Sequence, residues 1–175
     1  MTTTAFVVLK EGSAGAEVTK LQQHLKTLNI YTGAADGSFG TQTKAAVIKF
    51  QQNNALAADG IVGYETQAGL QRAIWVSQRT NLKEGANNND VKLLQTLLAQ
   101  DVEQSGEATA GVSIKYAIDG VFGSQTTTNV VKFQTKTKLK ADGVVGGATW
   151  KALSGVLTFD LVPEVIVANN VFGIA

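Results

Sequence analysis

The chain contains most of itself twice. Leu9-Lys10-Glu11-Gly12 returns as Leu82-Lys83-Glu84-Gly85, and Val18, Leu21, Gln22 and Leu25 return as Val91, Leu94, Gln95 and Leu98, all 73 residues later. From Asp36-Gly37-Ser38-Phe39-Gly40-Thr41-Gln42-Thr43 to Asp119-Gly120-Val121-Phe122-Gly123-Ser124-Gln125-Thr126 the offset is 83, and it stays 83 through Leu70 and Leu153. Over those 35 aligned positions 18 are identical, where background composition gives about two. A duplication of this kind restricts the 175 residues to two small cores in place of one large one. Each core has the size at which an isolated domain is only marginally stable.

Each copy reads as three helices joined by glycine turns. Val18, Leu21, Leu25 and Leu28 form an apolar stripe at helical spacing over Ala16 to Leu28, and Val91, Leu94 and Leu98 repeat it. The second helix opens after Phe39-Gly40, with Thr41 or Ser124 as N-cap, and buries Ala46, Val47 and Phe50, or Val130, Val131 and Phe133. The third helix starts near Gly63 and Gly146, carries Thr66 to Leu70 or Thr149 to Leu153, and is expected to be short in both copies. Between helices stand Asp36-Gly37, Asp59-Gly60, Asp119-Gly120 and Asp142-Gly143. In such turns Asp accepts local backbone N–H groups and Gly supplies a positive φ.

Composition narrows the chemistry. Fifteen Lys and Arg against fourteen Asp and Glu give a net charge of +1, without the single-sign excess of a nucleic-acid or anionic-membrane binder. There is no cysteine and only one histidine, His24, so thiol chemistry is absent and zinc or Ser/His/Asp chemistry is poorly supplied. No metal or cofactor is expected. No apolar run approaches the roughly 18 residues that span a bilayer. The first residues lack a basic region and an apolar stretch long enough for a secretory leader, so a route of export is not read from them.

The spaced motifs Leu-x-x-Gly, Val-x-x-Leu-Gln-x-x-Leu, Asp-Gly-x-Phe-Gly-x-x-Thr, Val-x-x-Phe-Gln, Leu-x-x-Asp-Gly-x-Val-Gly and Thr-Trp-x-x-Leu together resemble the peptidoglycan-binding-like domain, a small three-helix module. The resemblance runs from Leu9 to Leu70 and again from Leu82 to Leu153. It implies a mainly α fold of two tandem three-helix bundles, here with short β-prone N- and C-terminal segments. The expected division is an extension at 1–8, repeat 1 at 9–71, a packed linker at 72–81, repeat 2 at 82–154 with an insertion near 101–113, and an apolar tail at 155–175. Copy one departs from the family in carrying Gln67 where copy two has Trp150, and copy two carries Asn88 where copy one has Gly15.

The resemblance further implies a non-catalytic bacterial cell-wall binder, not an enzyme, whose partner is peptidoglycan and whose two copies bind bivalently at the wall or facing the periplasm. It would accompany a cell-wall hydrolase. A sugar–peptide polymer calls for fixed polar groups beside an aromatic or aliphatic wall. The candidate groove residues are Asp36, Gln42, Thr43, Gln51, Asp59 and Tyr64 in copy one, and Asp119, Gln125, Thr126, Gln134, Asp142 and Trp150 in copy two. The aspartates read first as turn residues, and Trp150 reads as a plug before it reads as a sugar platform. Gln51 and Gln134 follow a core Phe by one position, roughly 100° around the helix, and are expected to be partly exposed. Asp36 with Asp59, or Asp119 with Asp142, supply paired carboxylates of the glycosidase kind, but turn chemistry accounts for them. His24 reads as a core-edge residue, and Lys132, Lys136, Lys138 and Lys140 as a solvated face. The tails, Thr2 to Leu9 and Val156 to Ala175, favour strands. They leave open an alternative, a structural or docking subunit of a phage tail or contractile injection apparatus that meets its partner through the C-terminal tail.

Overall fold

The computed structural model describes residues 7–105 and 117–155. Most of the two β-prone tails and most of the insertion lie outside these residues. Six helices form among them: α1 (Ala16–Thr27), α2 (Thr41–Asn53), α3 (Tyr64–Ser77), α4 (Asn89–Ser105), α5 (Ser124–Lys136) and α6 (Gly147–Leu153). The fold is mainly α, with three helices to each copy. The chain divides into two compact units at Ser77/Gln78.

In the first unit the apolar stripe of α1 sets the core. Val18, Leu21 and Leu25 are all but inaccessible and meet Ala46, Val47 and Phe50 of α2 and Leu70 of α3. The loops add Leu9, Tyr31, Phe39 and Val62 to the same cluster, and α1 packs on both other helices. The segment ahead of α1 is stitched to both Asp-Gly loops. Leu9 and Val62 exchange backbone hydrogen bonds, Gly12 N–H donates to Phe39, and Phe39 N–H donates to Ser13. These single bridges stand where the sequence favoured strands near Leu9.

The helix ends follow backbone logic more than side-chain capping. Gly40 and Gly123, in extended conformation, occupy the N-cap positions of α2 and α5 without a side-chain bond. Thr41 and Ser124, expected as caps, are instead the first helical residues. At the C-termini of α1, α2 and α5 the chain turns through Asn29, Ala55 and Lys138, whose φ values of 57, 55 and 58° are left-handed. In α2 the Leu56 N–H then reaches Gln51 O and the Ala55 N–H reaches Gln52 O, the paired bonds of a Schellman ending.

The second unit repeats this plan with two changes. The first twelve residues of α4 correspond to α1, and the insertion begins by carrying the helix on from Asp101 to Ser105. Trp150 is buried in α6, and its indole N–H donates to Thr80 O at 2.8 Å. Val91, Leu94, Leu97, Leu98, Phe122, Val130, Phe133, Val145 and Leu153 are also buried in this unit. Val131, expected in the core, is only half-buried.

The segment expected as a linker, 72–81, is divided between the units. Residues 72–77 continue α3, which has 14 residues against seven in α6, so the third helix is not short in copy one. Ile74, Trp75 and Val76 prolong its partly buried side and no Gly or Pro interrupts it. Arg79 and Thr80 are held to α4, where Asp90 accepts from the Arg79 guanidinium at 2.9 Å and from both the Thr80 amide and hydroxyl.

Candidate functional site

Four glutamines organise the loops in one way. In the first unit Gln22 of α1 donates through Nε2 to Asp36 Oδ1, Ser38 O and Thr43 Oγ1, at 2.9 to 3.1 Å, while its Oε1 accepts the Gly37 N–H. Gln51 of α2 makes the same four bonds with Asp59, Ile61, Thr66 and Gly60. Gln95 repeats them with Asp119, Val121, Thr126 and Gly120, and Gln134 with Asp142, Val144, Thr149 and Gly143. Each amide thus clamps an Asp-Gly turn to the first turn of the next helix. All four glutamines are buried, and every donor and acceptor of the amide is matched. The turn glycines have φ of 71 to 79°, a region that costs a residue with a Cβ roughly 1–2 kcal/mol.

The same geometry fixes the carboxylates. The pKa of Asp36 is lowered by the Ser38 N–H and then by the Gln22 amide, and that of Asp59 by the Ile61 N–H and then by Gln51. For Asp119 the Gln95 amide leads and the Val121 N–H follows; for Asp142 the Val144 N–H leads. The four side chains are solvent-exposed anions in separate cradles, the opposite of the raised pKa that a general acid requires.

The expected groove residues therefore separate into two groups. Asp36, Thr43, Asp59, Asp119, Thr126, Gln134, Asp142 and Gln51 are engaged in the cradles. Gln51 and Gln134 are each 1% exposed, which corrects the expectation of partial exposure: the cradle turns them inward beside Phe50 and Phe133. Trp150 is buried as well, so it is a plug in α6. Gln42, Gln125 and Tyr64 remain on the surface, Tyr64 beside the exposed Ile61. Of the lysines, Lys136 pairs with Asp101 at 2.9 Å and Lys140 with Asp142 at 3.3 Å, while Lys132 and Lys138 are exposed. His24 is half-buried, with a pKa lowered by burial and then by Lys20.

One corner brings several expected residues together. In the second unit Gln95, Leu98, Ala117, Asp119, Val121 and the first turn of α5, Ser124 to Thr126, surround a shallow pocket of about 180 Å³. Asn129 closes it from the next turn of α5 and is 5% exposed. The matching corner of the first unit is tighter. There Tyr31 is buried and donates its hydroxyl to Ala34 O, and a Cβ on Gly33 would lie 2.5 Å from that hydroxyl and 3.0 Å from Gln42 Oε1.

Sequence reading missed Gln22, Gln95, Thr66, Thr149 and Asn129 as parts of these sites. A signal for the first four was present. The octet Asp-Gly-x-(Phe/Val)-Gly-x-x-Thr occurs four times, ending at Thr43, Thr66, Thr126 and Thr149, and each is preceded by an apolar–Gln pair. The unit of repetition is half a module. Asn129 had no such signal, because copy one has Ala46 in its place.

The peptidoglycan binding domain family matches residues 14–70 and 87–153. Among curated proteins, the chain is 30% identical over 166 residues to the N-acetylmuramoyl-L-alanine amidase CwlL of Bacillus licheniformis, covering 86% of this chain and 46% of the relative. It is 36% identical over 81 residues to the spore cortex-lytic enzyme of Bacillus cereus, covering 46% of this chain and 31% of the relative. With the zinc D-Ala-D-Ala carboxypeptidase of Streptomyces albus G it shares 48% identity over 63 residues, 33% of this chain and 24% of that one. A solved structure, the SleB N-terminal domain, aligns with a TM-score of 0.39 and 38% identity over 39% of this chain and 94% of that one. The chain spans less than half the length of these curated relatives. Their names correct the expectation that the protein is not an enzyme, since it is similar to proteins named as amidases and lytic enzymes.

Proposed function

The chain belongs to the peptidoglycan binding domain family, and from that premise we propose that its two units hold peptidoglycan bivalently and thereby keep a wall-lytic activity on its polymer. The observation that carries this reading is the family match in both copies, over 14–70 and 87–153. The names of the relatives support the lytic partnership. In the first unit the wall contact falls to the exposed Ile61 and Tyr64 at the start of α3, an aliphatic and aromatic surface suited to the apolar face of a sugar ring. In the second it falls to the corner at the N-terminus of α5, where Val121 supplies the apolar wall and Gln125 the polar one. On a repetitive lattice, two weak contacts in one chain gain roughly 100-fold or more in apparent affinity over one. No helix among the described residues is long and apolar enough to cross a membrane, and the place of action is the wall.

The test is co-sedimentation of the chain with purified insoluble sacculi. Retention in the pellet after washing is expected, and it should weaken when Tyr64→Ala removes the aromatic surface. A chain that stays in the supernatant would sink the reading.

A further inference from the structure

We propose that the pocket of the second unit is a site for a secondary amide, the CO–NH group that an acetamido sugar and a peptide bond share. This rests on the peptidoglycan-binding reading and gives one of its two contacts a chemical specificity.

The donors come first. Asn129 is buried to 5% exposure and lines the pocket. Its Oδ1 accepts a long bond of 3.4 Å from Gln125 Nε2, and its amide nitrogen has no hydrogen-bond partner among the described residues. At the pocket wall that amide is left to donate to a ligand carbonyl. Beside it, α5 begins at an uncapped Gly123, so the N–H groups of its first turn, Ser124 and Gln125, are unmatched within the helix and lie at the same pocket. The acceptor is Asp119. Its Oδ1 is occupied by Gln95 and the Val121 N–H, leaving Oδ2 for a ligand N–H. Because Asp119 is held ionised, the pocket disfavours a carboxylate that the donors alone would welcome. A neutral group with one acceptor and one donor satisfies both sides, and Val121, 46% exposed, lies against the carbon atoms next to it. The first unit lacks the site: Ala46 replaces Asn129, and Tyr31 and Gly33 crowd Gln42.

The test is titration of the whole chain, followed through backbone amide NMR shifts, with two probes. One is tetra-N-acetylchitotetraose, which presents acetamido groups; the other is the peptide L-alanyl-D-glutamyl-L-lysine, which presents peptide bonds. Saturable shifts at Asn129, Ser124 and Gln125 with either probe support the site, and the probe that acts names the source. Asn129→Ala, which copies the residue of the first unit and so is compatible with the fold, should weaken that binding at least 10-fold. Gln125→Ala, at an exposed position, should weaken it several-fold while leaving the urea midpoint unchanged. The inference is overturned if neither probe shifts these residues while the chain still sediments with sacculi, or if a probe binds with equal affinity to Asn129→Ala. Loss of sacculus sedimentation by the wild-type chain is the separate failure of the broader reading.

Discussion

A buried glutamine side chain with four matched hydrogen bonds is the unit from which this protein is built, and replacing one should act on folding before it acts on binding. Gln51→Leu leaves the buried Gly60 N–H without its partner and reduces the Ile61 carbonyl and the Thr66 hydroxyl to their mutual bond of 3.3 Å. At about 1–3 kcal/mol for a buried group left unmatched, the first unit should be destabilised by about that much, measured as a lower urea midpoint by circular dichroism. A midpoint within error of wild type would contradict the cradle. Protonation tests the same residues. The folded pKa of Asp36, Asp59, Asp119 and Asp142 lies below the unfolded value, so their contribution is complete above about pH 4 and is lost as pH falls through the folded values. The share of the urea midpoint that the carboxylates supply should hold from pH 7 to 5 and fall away below pH 4, less steeply in Asp36→Asn. His24 works in the same direction at higher pH. Its pKa is depressed, so the unfolded chain takes up the proton first and stability declines as pH falls below about 6.5. His24→Leu, the residue of copy two, should raise the midpoint of the first unit and flatten its profile between pH 7 and 5.

Helix ends and turns carry the next set of consequences. Ala55 holds a left-handed φ of 55° after α2, where a Cβ is disfavoured and glycine is not. Ala55→Gly should stabilise the first unit by about 0.5–1 kcal/mol, read in the same denaturation experiment; a loss of stability would show that the turn does not depend on this conformation. Gly37→Ala should do the reverse, since its φ is 77° and a Cβ would lie 2.8 Å from Thr19 Oγ1 and 3.2 Å from Gly15 O. At this scale the sequence was informative where periodicity rules. The stripes of α1 and α4 and the core residues of α2 stand where their spacing put them, because one buried side per helix leaves a period that survives in composition. The length of α3 was not legible: residues 72–77 read as part of a linker because the repeat reads as ending at Gln71, although nothing in them stops a helix. The burial of Gln51 and Gln134 was hidden for a different reason. Position on a helix says which way a side chain points, but what receives it is an Asp-Gly loop 8 to 10 residues away. Asn129 was silent because it breaks the repeat instead of keeping it.

For the whole molecule, the duplication gives two units that share a scaffold and differ at the surface. Each unit holds two of the four cradles, while the Tyr64 and Ile61 surface belongs to the first alone and the Asn129 pocket to the second alone, so the two copies should contribute different contacts to one polymer. The central claim is that both contacts act together on peptidoglycan. Its most direct measurement is the apparent affinity for purified sacculi of the intact chain, compared with chains in which Gln51→Leu destabilises the first unit or Gln134→Leu the second, at a urea concentration that unfolds only the altered unit. Binding by the intact chain roughly 100-fold tighter than by either variant is the predicted result. No sedimentation of the intact chain, or equal affinity in all three, would contradict it.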